Sequence, residues 1–173
     1  MNFFQRTKNR LIAIAAARSP ALARKLVDGY RVRAVSGDIP WSVPRRPLHE
    51  ARLALVTTAG IHHPHQPPFD MHDRQGDPSF RPLNGATLFD DFVITHDYYD
   101  HRDARRDPNI ILPLDRLREL VAEEVVGSLA ATHYAFMGHI DGEHIRTLQE
   151  TSAPQVVQRM KEEGVDLVLL TPA

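Results

Sequence analysis

The chain has 173 residues, 42% of them hydrophobic, which is enough to bury one core but hardly two. Its 21 lysine and arginine residues nearly balance 22 aspartate and glutamate residues, so no overall charge attracts nucleic acid or anionic lipid. The chain contains no cysteine, which excludes disulfides, thiolate metal sites and any thiol mechanism carried out by these residues alone.

A cationic helical segment is predicted at the N-terminus. The apolar run from Leu11 to Ala17 is shorter than the core of a typical signal peptide and far shorter than the roughly 20 residues of a membrane span. Basic residues return after it at helical spacing, and Ser19-Pro20 predicts a break between two helices. We therefore expect a soluble cytoplasmic protein that binds neither membrane nor nucleic acid.

Two parts of the chain differ in composition. Residues 1–50 are predicted to form the helical segment and a proline-rich connector around Trp41, and residues 51–173 an α/β domain. The domain opens with the apolar run Ala51 to Gly60, which is typical of a buried strand that leads into a loop.

The middle of the domain is predicted from shorter patterns. A strand is expected around Asp91 to Thr95, and a short edge or irregular strand at Asn109 to Leu114. A helix from Arg116 to Glu124 follows, with Asp115 as its N-cap. The segment Leu129 to Met137 is compatible with a strand or a helix.

The last elements are a helix and a strand. Thr151 or Ser152 is expected to cap the helix, Pro154 suits an early helical position, and Gly164 ends it before the strand Val165 to Leu170. The alternation predicts an α/β fold: a mainly parallel sheet flanked by helices, a Rossmann-like layered half-domain. Because such a strand normally leads into a crossover helix, we expect the domain to be incomplete, although a strand can also end a domain.

Histidines are concentrated in the long loop at residues 61–85, and loops of this length are usually functional or disordered. We predict that they bind substrate, the candidates being His62, His63 and His65. A metal site completed by residues 96–101 and a solvated loop without a ligand are the alternatives. The spacing matches no zinc signature known to us, so we expect neither a metal nor another cofactor in this chain.

Asp77 and Arg81 form a second candidate pair for substrate binding. The carboxylate is suited to cap a turn, and the arginine is suited to clamp a substrate carboxylate through two hydrogen bonds. A surface turn with a solvated arginine is the alternative reading.

His96 and Asp97 are the candidate catalytic residues, because they leave a predicted strand end and face the same edge of the sheet as the Gly60 loop. With its ordinary pKa near neutrality, His96 would serve as proton donor, and Tyr98 beside it would bind substrate. Asp100 and His101 are expected to pair with each other. His133 is expected to be a hydrogen-bonded core histidine.

Six segments, ordered from about residue 50 to the end, carry a family resemblance. They are Leu55 to Ile61, Gly76 to Arg81, Ile94 to Asp100, Asn109 to Leu117, His133 to Gly138 and Gly164 to Pro172. Together they resemble the glycine/betaine/sarcosine/D-proline reductase selenoprotein B family. In that family the strand matching Val165 to Leu170 is followed by a selenocysteine or cysteine, and this chain has neither.

The resemblance implies a component of a selenol- or thiol-dependent reductase that reductively cleaves a small amino-acid-like substrate. It also implies partner reductase subunits, one of them bearing a pyruvoyl group, and a homo-oligomer is a further expectation. We expect the reading frame to continue through a selenocysteine codon after Ala173, so that the 173-residue chain alone is an inactive, truncated form. Two alternatives remain: a metal-assisted hydrolase or lyase using the His and Asp loops, and a non-catalytic binding module.

Overall fold

The strand β1 (Arg52–Thr57) lies at the centre of the main sheet in the computed structural model, which describes residues 3–28, 42–88 and 91–173. β7 (Leu167–Thr171) pairs with one edge of β1. β5 (Ser128–Leu129) and β6 (Thr132–Ala135) follow one another along the other edge, and all three pairings are parallel. β3 (Arg81–Asn84) adds an antiparallel edge on β6. The predicted mainly parallel sheet is confirmed.

The remaining elements surround this sheet. β2 (Ile61–His62) and β4 (Val93–Ile94) form a small antiparallel pair beside it. The α-helices of the described residues are α1 (Phe3–Arg18), α2 (Pro20–Asp28), α3 (Arg102–Arg106), α4 (Leu114–Ala122), α5 (Glu143–Thr147) and α6 (Ala153–Glu162). Within the described ranges, no helix is both long and apolar enough to span a bilayer.

Side chains alternate across β1, and a helix covers each face of the sheet. Leu53 and Leu55 belong to one buried cluster, which includes Leu114 and Leu117 of α4. Ala54 points to the other face, where a second cluster contains Val156 and Met160, which lie four residues apart on one side of α6. The helices therefore flank the sheet as predicted, and the carboxyl ends of its parallel strands share one edge.

Several predicted elements are present in the structure, although their bounds differ from the predicted ones. The helix break at Ser19-Pro20, the strand after residue 51 and the final strand are all present. The ambiguous segment 129–137 is strand, interrupted between β5 and β6. The first part of the predicted connector, residues 35–41 with Trp41, lies outside the described residues. The division of the chain at residue 50 stays a prediction.

The predicted strand at Asn109 to Leu114 is wrong. The chain forms a 3-10 turn there, Pro108–Ile110, because the Asp107 side chain accepts a hydrogen bond from the Asn109 backbone N–H and Pro108 suits the first helical position. The predicted N-cap is also wrong: α4 begins at Leu114, and the Asp115 carboxylate pairs with Arg118 at 2.6 Å.

Ser152 directly precedes α6, the position predicted for the cap, but it does not act as one. The helix begins at Glu143, and a π-helical turn, Leu148–Ser152, joins α5 to α6. Ser152 already has helical backbone angles and makes no capping bond with its side chain. Pro154 lacks the N–H that an α-helix interior requires, and a π turn just before it is one way in which a continuous helix accommodates that loss.

Candidate functional site

Three loops meet at the carboxyl ends of β1, β4 and β6. The Gly60 N–H, just past β1, donates to the carbonyl of Phe136 at 2.9 Å, and the Thr95 N–H donates to the carbonyl of Gly60 at 2.8 Å. The residues that follow β4 are therefore held against those that follow β6. Histidines in the two loops are brought together by these backbone bonds.

Glycine is required at two of these positions. Gly60 has a φ of +67°, and a Cβ there would lie 2.5 Å from the carbonyl oxygen of Thr95. Gly138 has a φ of +86°, and a Cβ there would lie 2.8 Å from the carbonyl oxygen of Thr58. Both the backbone angle and the close approach of the loops exclude a larger residue.

Five rings form what we call the strand-end cluster: His96, Tyr98, Tyr99, His101 and His139. Ring centroids are 4.8 Å apart for His96 and Tyr99, 4.4 Å for Tyr99 and His101, and 4.4 Å for Tyr98 and His139. The Tyr99 hydroxyl donates to the carbonyl of Ala59 at 3.1 Å, and burial raises its pKa. Tyr99 is thus a neutral hydrogen-bond donor that ties the cluster to the β1 loop.

His96 is 5% exposed and both of its ring nitrogens are engaged. Nδ1 accepts from the Tyr98 N–H at 3.1 Å, and the ring also hydrogen-bonds the backbone of Met137. Burial, followed by the neighbouring His101 and His139, lowers the pKa of His96 to about 4. The ordinary pKa assumed from the sequence does not apply, because His96 is neutral at pH 7.

Unlike His96, His101 keeps one ring nitrogen without a hydrogen-bond partner among the described residues. Its ring hydrogen-bonds the backbone of His96, burial lowers its pKa, and its buried Nε2 has no hydrogen-bond partner among the described residues. The expected pairing of Asp100 with His101 is wrong, because Asp100 forms its ion pair with Arg102. His101 therefore keeps one buried ring nitrogen whose hydrogen-bonding capacity is unused within the described part of the chain.

Asp97 is fully buried and is held by two arginines of α1. Arg6 Nε lies 2.6 Å from one carboxylate oxygen and Arg10 Nε lies 2.7 Å from the other. Burial alone would raise the pKa of Asp97, but the hydrogen bonds from Arg6 and Arg10 outweigh it and lower the pKa. Asp97 is thus a carboxylate at neutral pH.

A cavity of about 230 Å³ opens beside these groups, between α1 and the segment from Ile94 to Arg105. Its charged and polar walls include Arg10, His96, Tyr99, His101 and Arg105, and Ile14 adds an apolar side chain. This volume admits a small molecule of a few heavy atoms, and both hydrogen-bond donors and acceptors line it.

The other predicted site residues lie in the long loop. His62 is buried, and its Nε2 lies 2.9 Å from the Thr95 hydroxyl, so it touches the segment that carries His96. His63 and His65 stack with centroids 5.3 Å apart, and His63 Nε2 accepts from the Asn84 N–H at 3.1 Å. Burial lowers the pKa of His63. No three metal-binding side chains converge within the described part of the chain.

Asp77 and Arg81 brace the same loop. Asp77 accepts from the backbone N–H groups of Ser79 and Asp70 at 2.8 Å each, which confirms that its carboxylate caps a turn. Arg81 donates to the carbonyls of Pro67 at 2.8 Å and Pro68 at 3.1 Å. These bonds occupy its guanidinium locally, and its predicted role as a substrate clamp stays a prediction.

His133 lies apart, inside the sheet. It is fully buried, and its Nδ1 accepts from the Leu55 N–H at 3.1 Å, which confirms the predicted core histidine. Burial lowers its pKa to about 4.

Sequence reasoning missed two features of the site. It did not place Arg6 and Arg10 against Asp97, although their spacing of four residues puts them on one face of a helix. It also did not bring His139 to Tyr98, although Gly138 directly after β6 is the signal for a turn at that strand end.

The chain is similar to proteins of a known family over most of its length. The family model for glycine/sarcosine/betaine reductase selenoprotein B matches residues 30–173. D-proline reductase subunit gamma of Acetoanaerobium sticklandii is 35% identical over 131 residues, which cover 76% of this chain and 52% of that protein.

More distant relatives are subunits of similar complexes. Glycine reductase complex component B subunit gamma of Carboxydothermus hydrogenoformans is 30% identical over 136 residues, covering 77% of this chain and 30% of that protein. Betaine reductase complex component B subunit beta of Peptoclostridium acidaminophilum is 30% identical over 137 residues, which cover 75% of this chain and 30% of that protein. The chain thus spans between about a third and a half of these relatives. No solved structure matches it.

Proposed function

Because the chain belongs to the glycine/sarcosine/betaine reductase selenoprotein B family, we propose that it is a component of a selenol- or thiol-dependent reductase. Its substrate would be a small amino-acid-like molecule, since the relatives are named for D-proline, glycine, betaine and sarcosine. The match of the family model over residues 30–173 carries this proposal.

The strand-end cluster supports the proposal as one wall of the reductase site. His96 accepts a hydrogen bond from the Tyr98 N–H, and Tyr98 contacts His139. His101, whose buried Nε2 has no partner among the described residues, lines a cavity of suitable size. Arg105 lines that cavity and makes no ion pair with a described residue. A guanidinium in that position is suited to hold the carboxylate of a substrate.

The long loop would contribute the second wall. His62 touches Thr95 directly beside His96, and His63, His65, Asp77 and Arg81 build the loop that carries it. Of the predicted binding residues in the loop, His62 is the one that contacts the segment carrying His96. The others would act by holding the loop in shape or by meeting parts of the substrate outside the cavity.

The reactive nucleophile would come from outside these 173 residues, since they include no cysteine. In the proposed reaction a selenolate or thiolate bonds to the substrate as the scissile bond breaks, and a second thiol resolves the adduct. The thiol pair loses two electrons and becomes a disulfide or selenenylsulfide, while the substrate gains two electrons and two protons. Positive groups such as Arg105 favour the anionic nucleophile at such a site.

The setting proposed for the chain is a multi-subunit complex in the cytoplasm. Glycine, betaine and sarcosine relatives are named as component subunits. We propose partner reductase subunits, or further copies of this chain, and no cofactor bound by these residues themselves.

One surface observation favours an assembly role in addition. Val168, Leu169 and Leu170 of β7 are all exposed, although they are consecutive apolar residues of a strand at the edge of the sheet. Such an edge pairs readily with further polypeptide. A binding module that acts through β7 is therefore the second candidate function.

The decisive experiment uses the complex purified from the native host through a tag on this chain. With dithiothreitol as electron donor, we expect consumption of D-proline, glycine, betaine or sarcosine. Treatment with iodoacetate should abolish turnover, and the labelled residue should map outside residues 1–173. Consumption of none of the four substrates, or turnover that resists alkylation, would contradict the reductase proposal.

Arg105→Gln tests the carboxylate contact in the same complex. Loss of a charge-assisted hydrogen bond should raise KM by about 10- to 100-fold. The matched control is Arg106→Gln, because Arg106 is the exposed neighbour that does not line the cavity. Equal KM values for the two variants would remove Arg105 from the site.

A further inference from the structure

Helix α1 closes one side of the cavity although its residues precede the range matched by the family model. Arg10 and Ile14 of α1 line the cavity opposite His101. Arg6 and Arg10 also hold Asp97 at 2.6 and 2.7 Å. A helix outside residues 30–173 therefore covers a site built by residues inside that range.

The attachment of α1 to the domain is polar. None of the α1 side chains that the structure describes is fully buried. Phe4 is 77% exposed and Leu11 is 62% exposed, so an apolar stripe of the helix faces away from the domain. Elements with few buried apolar contacts open at low free-energy cost.

Charge explains how α1 nevertheless stays in place. Residues 3–28 contain six basic residues and one acidic residue, whereas the chain as a whole has a net charge of −1. The rest of the chain therefore carries a formal net charge of −6. The Arg6 and Arg10 side chains are 29% and 59% exposed, so water can reach their ion pairs with the fully buried carboxylate of Asp97.

We propose that α1 is a detachable cover for the His101 cavity, held closed by Arg6 and Arg10 on Asp97. In the closed state α1 shields His101 Nε2 from solvent. In the open state water hydrates Asp97 and small molecules reach His101. This inference concerns access to the cavity and holds whichever reaction the complex performs.

The test measures the modification of histidines by diethylpyrocarbonate at pH 7, followed by peptide mass spectrometry. The variant is Arg6→Gln with Arg10→Gln. Its control is Lys8→Gln with Arg24→Gln, which removes the same charge from the α1–α2 pair without touching Asp97. We expect modification of His101 to be about tenfold faster in the variant than in the control, since two ion pairs of the closed state are lost.

Two other histidines act as internal references. His49 has an exposed side chain and should react equally in all proteins, whereas His133 is fully buried in the sheet and should stay unreactive. Equal His101 rates in the variant and the control would overturn the proposal. A parallel rise at His133 would also overturn it, because that result reports loosening of the whole domain.

Hydrogen exchange gives a second measurement that needs no variant. A detached helix of 16 residues is only marginally stable in water, so the amides of α1 should exchange at least about 100-fold faster than those of β1. Exchange of α1 as slow as that of β1 would show that the helix is an integral part of the domain and would overturn the cover. If the double variant does not fold, each single variant should accelerate His101 modification by about threefold.

Discussion

His96 and His133 are chemically alike but lie in different regions. Burial lowers the pKa of both to about 4. His133 bonds a backbone N–H inside the sheet, while His96 sits among ionisable rings next to a cavity. A shifted pKa therefore does not identify a functional histidine by itself. The neighbouring charges and the accessible volume make the difference, since His101 beside His96 and His133 itself both keep a buried Nε2 without a partner among the described residues.

The largest expected effect is on acid stability, which the two histidines should share. The unfolded chain binds protons at each histidine below about pH 6.5, whereas the folded protein does so only below about pH 4. The free energy of unfolding should therefore fall as pH drops through this window, by about 3 kcal/mol for each histidine. Urea unfolding at pH 7, 5.5 and 4 measures the loss.

Substitution separates the two contributions. His96→Gln and His133→Gln should each flatten the pH dependence by about half, whereas His49→Gln, which changes an exposed side chain, should leave it unaltered. His63 and His101, whose pKa values are also lowered, add smaller terms of the same sign. A flat stability profile between pH 7 and 4 would contradict the burial of both histidines.

A glycine comparison tests how tightly the strand-end loops meet. Gly60→Ala meets both a positive φ and the carbonyl of Thr95, so we expect a loss of about 2–3 kcal/mol. Gly164→Ala has a similar φ of +72°, but its nearest neighbouring atom is 3.6 Å from the new Cβ, so about 1 kcal/mol is expected. Thermal and urea unfolding measure both variants, and equal losses would argue against the close contact at Gly60.

The smallest expected effect concerns the Tyr99 hydroxyl. Tyr99→Phe removes its hydrogen bond to the carbonyl of Ala59 and should lower the free energy of unfolding by about 1 kcal/mol. The same change should accelerate amide exchange around Gly60 more than around β6. Unaltered stability and exchange would show that the Tyr99 hydroxyl does not attach the strand-end cluster to the β1 loop.

Strong local patterns were enough to predict two strands of the central sheet, whereas β3 lies in a segment predicted to be loop. β1 and β7 are apolar runs, and their parallel pairing follows from the intervening helices. The segment 109–114 was mispredicted because Asp107 and Pro108 favour a turn more strongly than the apolar residues favour a strand. The conformation of this segment is therefore determined by the turn preferences of a few neighbouring residues.

The site was harder to predict because its contacts are distant in sequence. Asp97 was recognised as a site candidate, but Arg6 is 91 residues away and nothing local identifies it as the partner. The sequence also did not show that His96 and His133 share a lowered pKa, since their burial depends on the assembled fold. The sequence thus indicated which residues belong to the site, but not which of them contact each other.

The interruption between β5 and β6 has a consequence for the sheet itself. Three steps along β1, from Leu53 to Val56, face five steps on its neighbour, from Leu129 to Tyr134. In this gap the Leu55 N–H bonds the imidazole of His133, so a side chain replaces the carbonyl that a regular strand would offer. On this edge of β1 the junction between β5 and β6 is therefore bridged by the lone pair of His133 Nδ1, and a proton on that nitrogen would remove this hydrogen bond.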